Sequence, residues 1–296
     1  MPDSPRQPIR GVVLQLCALF FFAAIDAVGK DLAQTFSLPL LVWARYTIHC
    51  LLMLIFLAPS MRLRLVSTRR PLIHVVRALL LVLVSLLALA ALRIMPLAET
   101  TAIFLVGPFM VALLAARFLG ETVGLRRWLA IVIGGAGALM IARPGGAVSL
   151  AGVLIVLVAA LSYAIYQVQT RQLAATENSF TMLFYTALTG TVVMSLSLPW
   201  FWSGPMPSAR EALLIASLGV GGGIGHFLVT RAFHHAPAST LSPLTYAQLI
   251  WATLLGWLVF GQFPDPLSVL GMLIIAGAGL FIALSERSTR RSVLRS

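Results

Sequence analysis

The chain is 296 residues long, with 59% hydrophobic residues, 10% charged residues and a formal net charge of +12. An ordinary soluble domain carries about 25% charged residues, so this composition excludes one and requires a chain that meets lipid. The basic excess would suit a nucleic-acid partner as well as a membrane, and the positions of the charges decide between them.

Crossing the hydrocarbon core as a helix takes about 20 apolar residues. Ten such stretches are predicted, at 11–29, 38–57, 72–92, 100–119, 124–142, 150–170, 180–200, 211–233, 239–262 and 267–285. The connections leave no room for a soluble domain of about 50 residues or more. The first stretch follows Arg6 and Arg10 with no small-residue cleavage site before Lys30, so it reads as a span and not as a removed leader. With the N-terminus inside, sixteen arginines from Arg6 to Arg295, Arg77 among them, fall in inner loops and tails. Only Lys30, Arg93, Arg143 and Arg210 fall outside, and Arg45 stays within a span. That asymmetry places both termini in the cytoplasm and explains the charge without nucleic acid. Cys17 and Cys50 lie in spans and are expected as free thiols.

Residues 96–122 repeat at 237–263, an offset of 141 that aligns Pro96 with Pro237, Leu114 with Leu255 and Gly120 with Gly261. The same offset lays 11–33 on 152–174, pairing Asp26 with Gln167 and Lys30 with Arg171. Near the end of each half, Gly135 to Gly137 meets Gly277 to Gly279 after a shift of one residue. Five spans per half is an odd number, so the second half enters the membrane from the opposite side. The expected fold is all-α: ten helices in two inverted repeats, 1–145 and 146–296, around a central cavity, with the solute site near the midplane.

Candidate residues follow from polarity at depth. Asp26 is an ionisable group well inside a span, where it costs about 2.5–3.5 kcal/mol to insert and faces a partner or a cavity. Lys30 lies one turn on, so the two form either a local ion pair or, with Asp26 free, a site for a proton or a substrate ammonium. Phe22 and Tyr163 align one turn before Asp26 and Gln167, giving each half an aromatic and a polar group on one face, for packing or for holding ligand. Arg45 and His49 sit one turn apart, and Arg45 balances Asp26 or touches solute. His226 aligns with Ser85 and follows the stretch Gly219–Val–Gly–Gly–Gly–Ile–Gly225, whose four-residue spacings suit close helix packing. Glu99 starts the fourth span, where a carboxylate caps the helix dipole. Pro108 and Pro243 are expected to bend their spans at different depths, because they do not align at the offset. Tyr246, Gln248 and Trp251 put polar and aromatic edges in the ninth span. No motif for nucleophilic, metal-assisted or phosphate-binding chemistry occurs, so no enzyme, cofactor or metal is expected.

On PLAETTAIFLVGPFMVALLAARFLGE at 96–121 and its weaker echo at 237–262, the chain resembles the EamA family of the drug/metabolite transporter superfamily. The likeness covers residues 11–285. It rests also on ALRIMPLAET before the fourth span, a mid-span proline, Gly–Glu at that span's end, a glycine-rich fifth span and an arginine early in the second, here Arg45. It departs at Gln262, where the family often repeats Gly–Glu, which leaves Glu121 without a counterpart. The resemblance implies a basket of ten helices whose cavity is lined by spans 1, 3, 4, 6, 8 and 9. By lining position it implies Phe22, Asp26, Ser85, Phe104, Tyr163, Gln167, His226, Tyr246 and Gln248 as solute-contacting residues. It also implies alternating-access export of small metabolites from the inner membrane, in the manner of YddG-type exporters of aromatic and neutral amino acids. The expected partners are a small-molecule substrate and the bilayer, and a monomer is the working expectation. The alternatives are a lipophilic-cation or drug exporter and, in another class, a membrane-embedded enzyme or receptor scaffold.

Overall fold

The computed structural model describes residues 8–119, 124–143, 148–174, 176–202 and 205–293. Glu121 lies outside them. Every regular element among the described residues is helical: α1 (Pro8–Leu32), α2 (Leu38–Met61), α3 (Pro71–Ile94), α4 (Leu97–Phe104), α5 (Gly107–Leu119), α6 (Leu125–Ile141), α7 (Leu150–Ala174), α8 (Ser179–Phe201), α9 (Ala209–His235), α10 (Ala238–Leu241), α11 (Gln248–Phe260) and α12 (Pro266–Val293). Tighter 3-10 turns occupy Arg62–Leu65 and Ser242–Ala247. A hydrocarbon surrounding leaves backbone groups no partner but each other, and helices satisfy that requirement within one segment.

Among the described residues nine segments, not ten, are long and apolar enough to cross a membrane. The expected fifth span is the exception. It forms α6, whose 17 residues extend about 25 Å at 1.5 Å per residue, short of the roughly 30 Å core.

The two unaligned prolines each break a span. The fourth span of each half is broken, and the breaks end together at the 141-residue offset: α5 starts at Gly107 and α11 at Gln248. Pro108 cannot donate, and its ring crowds the carbonyl four residues back, so α4 ends at Phe104. In the second half the chain passes through the 3-10 turn that begins at Ser242 and Pro243. Different prolines thus interrupt the two halves, the second break beginning four residues earlier in the repeat and both ending where α5 and α11 start.

The packing respects exchange of the halves. α1 packs on α9 as α7 packs on α3, α2 on α9 as α8 on α3, and α1 on α11 as α7 on α5; α2 with α8 and α6 with α12 pair across the axis. α6 and α12 approach so closely that a Cβ on Gly137 would lie 2.7 Å from the Gly271 carbonyl oxygen. Of the matched glycines, Gly137 makes this contact and Gly279 meets the Tyr246 ring, while Gly135 and Gly277 face open space.

Two charges counted as flanking in the sequence are buried. Lys30 donates from Nζ to the carbonyls of Leu92 (2.8 Å) and Met95 (2.6 Å), so the expected local pair with Asp26 is not formed. Arg77, 1% exposed, reaches Thr170, Thr186 and the Met182 carbonyl and lies over the Tyr166 ring. It ties α3 to α7 and α8 inside the bundle and does not lie in a loop.

Candidate functional site: a central cavity

A cavity of about 600 Å³ runs between the halves, lined from α1, α2, α3, α4, α7, α8, α9 and α11. One wall is set by the glycines of α9. A Cβ on Gly221 would lie 2.5 Å from Ile25 and one on Gly225 2.6 Å from the Phe22 ring, while one on Gly219 would press on Ile48 and the Arg45 carbonyl of α2. Bare backbone on both sides of α9 draws α1 and α2 onto it. Phe22, Asp26, Arg45, His49 and His226 consequently share one region of the lining. The His226 ring meets Phe22 edge-on at 5.2 Å and stacks on His49 at 5.9 Å. Asp26 makes no hydrogen bond and no ion pair within 4 Å among the described residues, and it keeps partial exposure to the cavity. The Arg45 charge acts on it from the same lining, beyond ion-pair distance, and a carboxylate so placed at this depth is available to a ligand.

The opposite wall is aromatic. Phe104 lies 5.4 Å from Tyr163, which stacks on Tyr166 at 5.8 Å with planes 22° apart. Gln167 donates to the Tyr163 hydroxyl at 3.1 Å, which fixes the amide against the ring. Ser85 shares a 3.1 Å hydrogen bond with the Tyr46 hydroxyl, joining α3 to α2 beside the cavity. Gln248 opens α11 at the break in the ninth span, and Thr100, Thr101 and Phe104 come from the matching short helix α4. Helix ends facing a cavity at equivalent breaks offer polar backbone to a bound solute.

Of the nine residues singled out from sequence, Phe22, Asp26, Ser85, Phe104, Tyr163, Gln167, His226 and Gln248 line this cavity. Tyr246 does not. Its ring packs against Gly279 of α12, on the far side of the 3-10 turn. Sequence reasoning left out Tyr46, Thr101, Tyr166, Thr170 and Arg171, all of which line the cavity, and weighed Arg45 mainly as a structural partner.

The cavity is closed at one end and open at the other. Toward the C-termini of α1 and α3 its lining ends on Leu92, Thr100 and Thr101, all buried. Toward the C-termini of α7 and α9 it ends on Arg171, Ala174 and Phe233, all exposed.

The EamA-like transporter family matches residues 9–143 and, a second time, 150–284. The S-adenosylmethionine uptake transporter of Rickettsia prowazekii is 27% identical over 99% of this chain and 98% of its own length. The pseudopaline exporter CntI of Pseudomonas aeruginosa (strain UCBPP-PA14) is 29% identical over 94% and 97%, and the riboflavin transporter of Vibrio cholerae is 29% identical over 97% of both chains. A solved crystal structure superposes with a TM-score of 0.69, covering 94% of this chain and 98% of that one at 20% identity, which speaks to the fold alone.

Proposed function

We propose, from the premise that the chain belongs to the EamA-like transporter family, that it carries amino-acid-type zwitterions, with export the working direction. That it is a multi-pass membrane transporter and not an enzyme follows from its relatives and from the nine apolar helices among the described residues; the solute class is our own reading. The observation that carries it is the composition of the cavity. Asp26, unpaired, suits an ammonium; Arg45, on the same wall, suits a carboxylate; the row Phe104, Tyr163 and Tyr166 suits a flat or aromatic substituent. A polyanion would find Arg45 and, at the mouth, Arg171, too few for several phosphates. A lipophilic cation would meet the Arg45 guanidinium, which disfavours the drug-exporter alternative.

A volume of about 600 Å³ is mid-range for ligand sites and accommodates more than a bare amino acid. The similarity to an S-adenosylmethionine transporter, whose solute is by name an adenosyl derivative of methionine, supports an upper size of that order. The relatives include both an uptake transporter and an exporter, so export is kept from the family resemblance alone; the arginine asymmetry supports an open end that faces the cytoplasm. On this reading the halves 1–145 and 146–296 are inverted repeats, α6, though short, is the tenth span beside α12, both termini are cytoplasmic in the inner membrane, and a monomer contains the whole cavity. The paired family matches and the exchange-symmetric packing support it.

The test is binding to purified protein of three matched ligands: tryptophan, tryptamine and indole-3-propionate. Tryptophan alone should stabilise the protein against heat, and Asp26→Asn and Arg45→Met should each remove the effect. Equal stabilisation by tryptamine would return the drug-exporter reading.

A further inference from the structure

We infer that Lys30 and Arg171 are a matched pair of gates, one for each end of the cavity, each closing onto a carbonyl that a proline leaves free at the end of the third long helix of its own half. The inference rests on the inverted-repeat reading above.

The first gate is shut in this structure. Lys30 of α1, 6% exposed, donates to the carbonyls of Leu92 and Met95 at the C-terminus of α3 and lies 5.4 Å from the centre of the Phe260 ring. A helix carbonyl normally accepts from the N–H four residues on. For Leu92 that residue is Pro96, which has no N–H, so the oxygen is left to another donor. Lys30 supplies it.

The donor, the two carbonyl positions and the proline of this device recur 141 residues later: Arg171 for Lys30, Phe233 for Leu92, Ala236 for Met95 and Pro237 for Pro96, while the counterpart of Phe260 is Leu119. Pro237 deprives the Phe233 carbonyl of its helical partner just as Pro96 deprives that of Leu92. Here, however, the second gate stands open. Arg171 and Phe233 are both exposed at the mouth of the cavity, and Arg171 makes no hydrogen bond or ion pair among the described residues. Helix packing has the same asymmetry, since α1 packs against α3 while the equivalent α7 and α9 have no comparable contact.

Exchanging the internal arrangements of the two halves brings Arg171 onto the Phe233 and Ala236 carbonyls and releases Lys30 from α3. That movement closes the open end and opens the closed one. A guanidinium presents two parallel N–H groups and suits a pair of carbonyls at least as well as an ammonium does.

The test uses the full chain with Cys17→Ala and Cys50→Ala, and two single reporters, Thr100→Cys at the closed end and Ala174→Cys at the open end. Labelling by a membrane-impermeant thiol reagent is followed in cells and in inside-out vesicles. Lys30→Met should raise labelling of the Thr100→Cys reporter by about tenfold, the order expected on losing hydrogen bonds to a charged group, and lower that of the Ala174→Cys reporter. Arg171→Met should do the reverse, and Lys30→Arg should behave as the parent. Reporters that react from opposite sides but do not move in either variant overturn the gating inference alone. Reporters that react from the same side overturn the inverted-repeat reading and the inference with it. Should Lys30→Met not yield folded protein, Arg171→Met decides, because its side chain is exposed here and its truncation removes no buried contact.

Discussion

Arg77 of α3 donates to the hydroxyl of Thr186 in α8 at 2.9 Å, and that hydroxyl in turn donates to the Met182 carbonyl at the same distance. The guanidinium also reaches Thr170 of α7 at 3.2 Å and lies 4.9 Å from the centre of the Tyr166 ring. One cation thus holds three helices of two halves together beneath an aromatic row that lines the cavity.

Removing that cation leaves neutral partners, two of which keep their own bonds to the Tyr166 and Met182 carbonyls. Arg77→Ala is expected to cost about 1.5–3 kcal/mol, the range for losing hydrogen bonds to a charged group. Arg77→Lys should cost less, since an ammonium can still reach one hydroxyl but not span all three sites. Thermal unfolding of the purified protein in detergent reads both.

The α9 glycines separate a contact that cannot yield from one that can. A Cβ at Gly225 would lie 2.6 Å from the Phe22 ring, whereas at Gly223 the nearest atoms are at 3.6 Å and 3.8 Å. Gly225→Val should push α1 off α9 and cost about 1–3 kcal/mol or more, while Gly223→Ala should stay within about 0.5 kcal/mol of the parent. Melting temperatures of the two variants, measured side by side, test the contrast.

Gln167 is oriented by a neighbour on its own helix. Tyr163→Phe removes the hydroxyl that receives its amide at 3.1 Å but keeps the ring, and should weaken solute binding about two- to tenfold, as for one neutral hydrogen bond. Tyr163→Leu removes the stacking surface as well and should weaken it further. Titration of each variant with tryptophan reads the difference.

At the closed end, Arg143 bonds Asp265 at 2.8 Å, joining the end of α6 to the start of α12. The Ser268 hydroxyl first, and then Arg143, hold the Asp265 carboxyl well below the usual carboxylate range. A depressed folded value stabilises fully above the unfolded value of about 4 and is lost as pH falls through the folded one. The gap in melting temperature between the parent and Asp265→Asn should therefore be constant near pH 7 and narrow below about pH 4. The pair is about a third exposed, so the gap should be small.

Much of this was legible in the sequence, for reasons particular residues make plain. Asp26 and Gln167 stand out because polar groups at depth are costly, and their alignment at one offset marks corresponding places in two halves. Tyr166, Thr170 and Ala174 were legible in principle: with Tyr163 they continue a stripe at helical spacing along α7, and extending the stripe from Tyr163 would have found them. Tyr246 misled because it sits in a 3-10 turn, where helical facing no longer applies. Lys30 and Arg77 lie near predicted span ends, where a basic residue usually flanks the membrane. Their burial depends on carbonyls and hydroxyls more than 60 residues away in sequence, and no local pattern records that. The coincidence of the two helix breaks was hidden by prolines that do not align.

Counterflow tests carriage of a zwitterion most directly. Proteoliposomes loaded with unlabelled tryptophan, phenylalanine, methionine or S-adenosylmethionine would be diluted into the matching labelled solute with no pH gradient. Transient accumulation above empty vesicles for at least one of these zwitterions, absent in Asp26→Asn, is the predicted result. Folded parent protein that accumulates none of them, or Asp26→Asn that accumulates as well as the parent, would contradict the zwitterion-carrier reading.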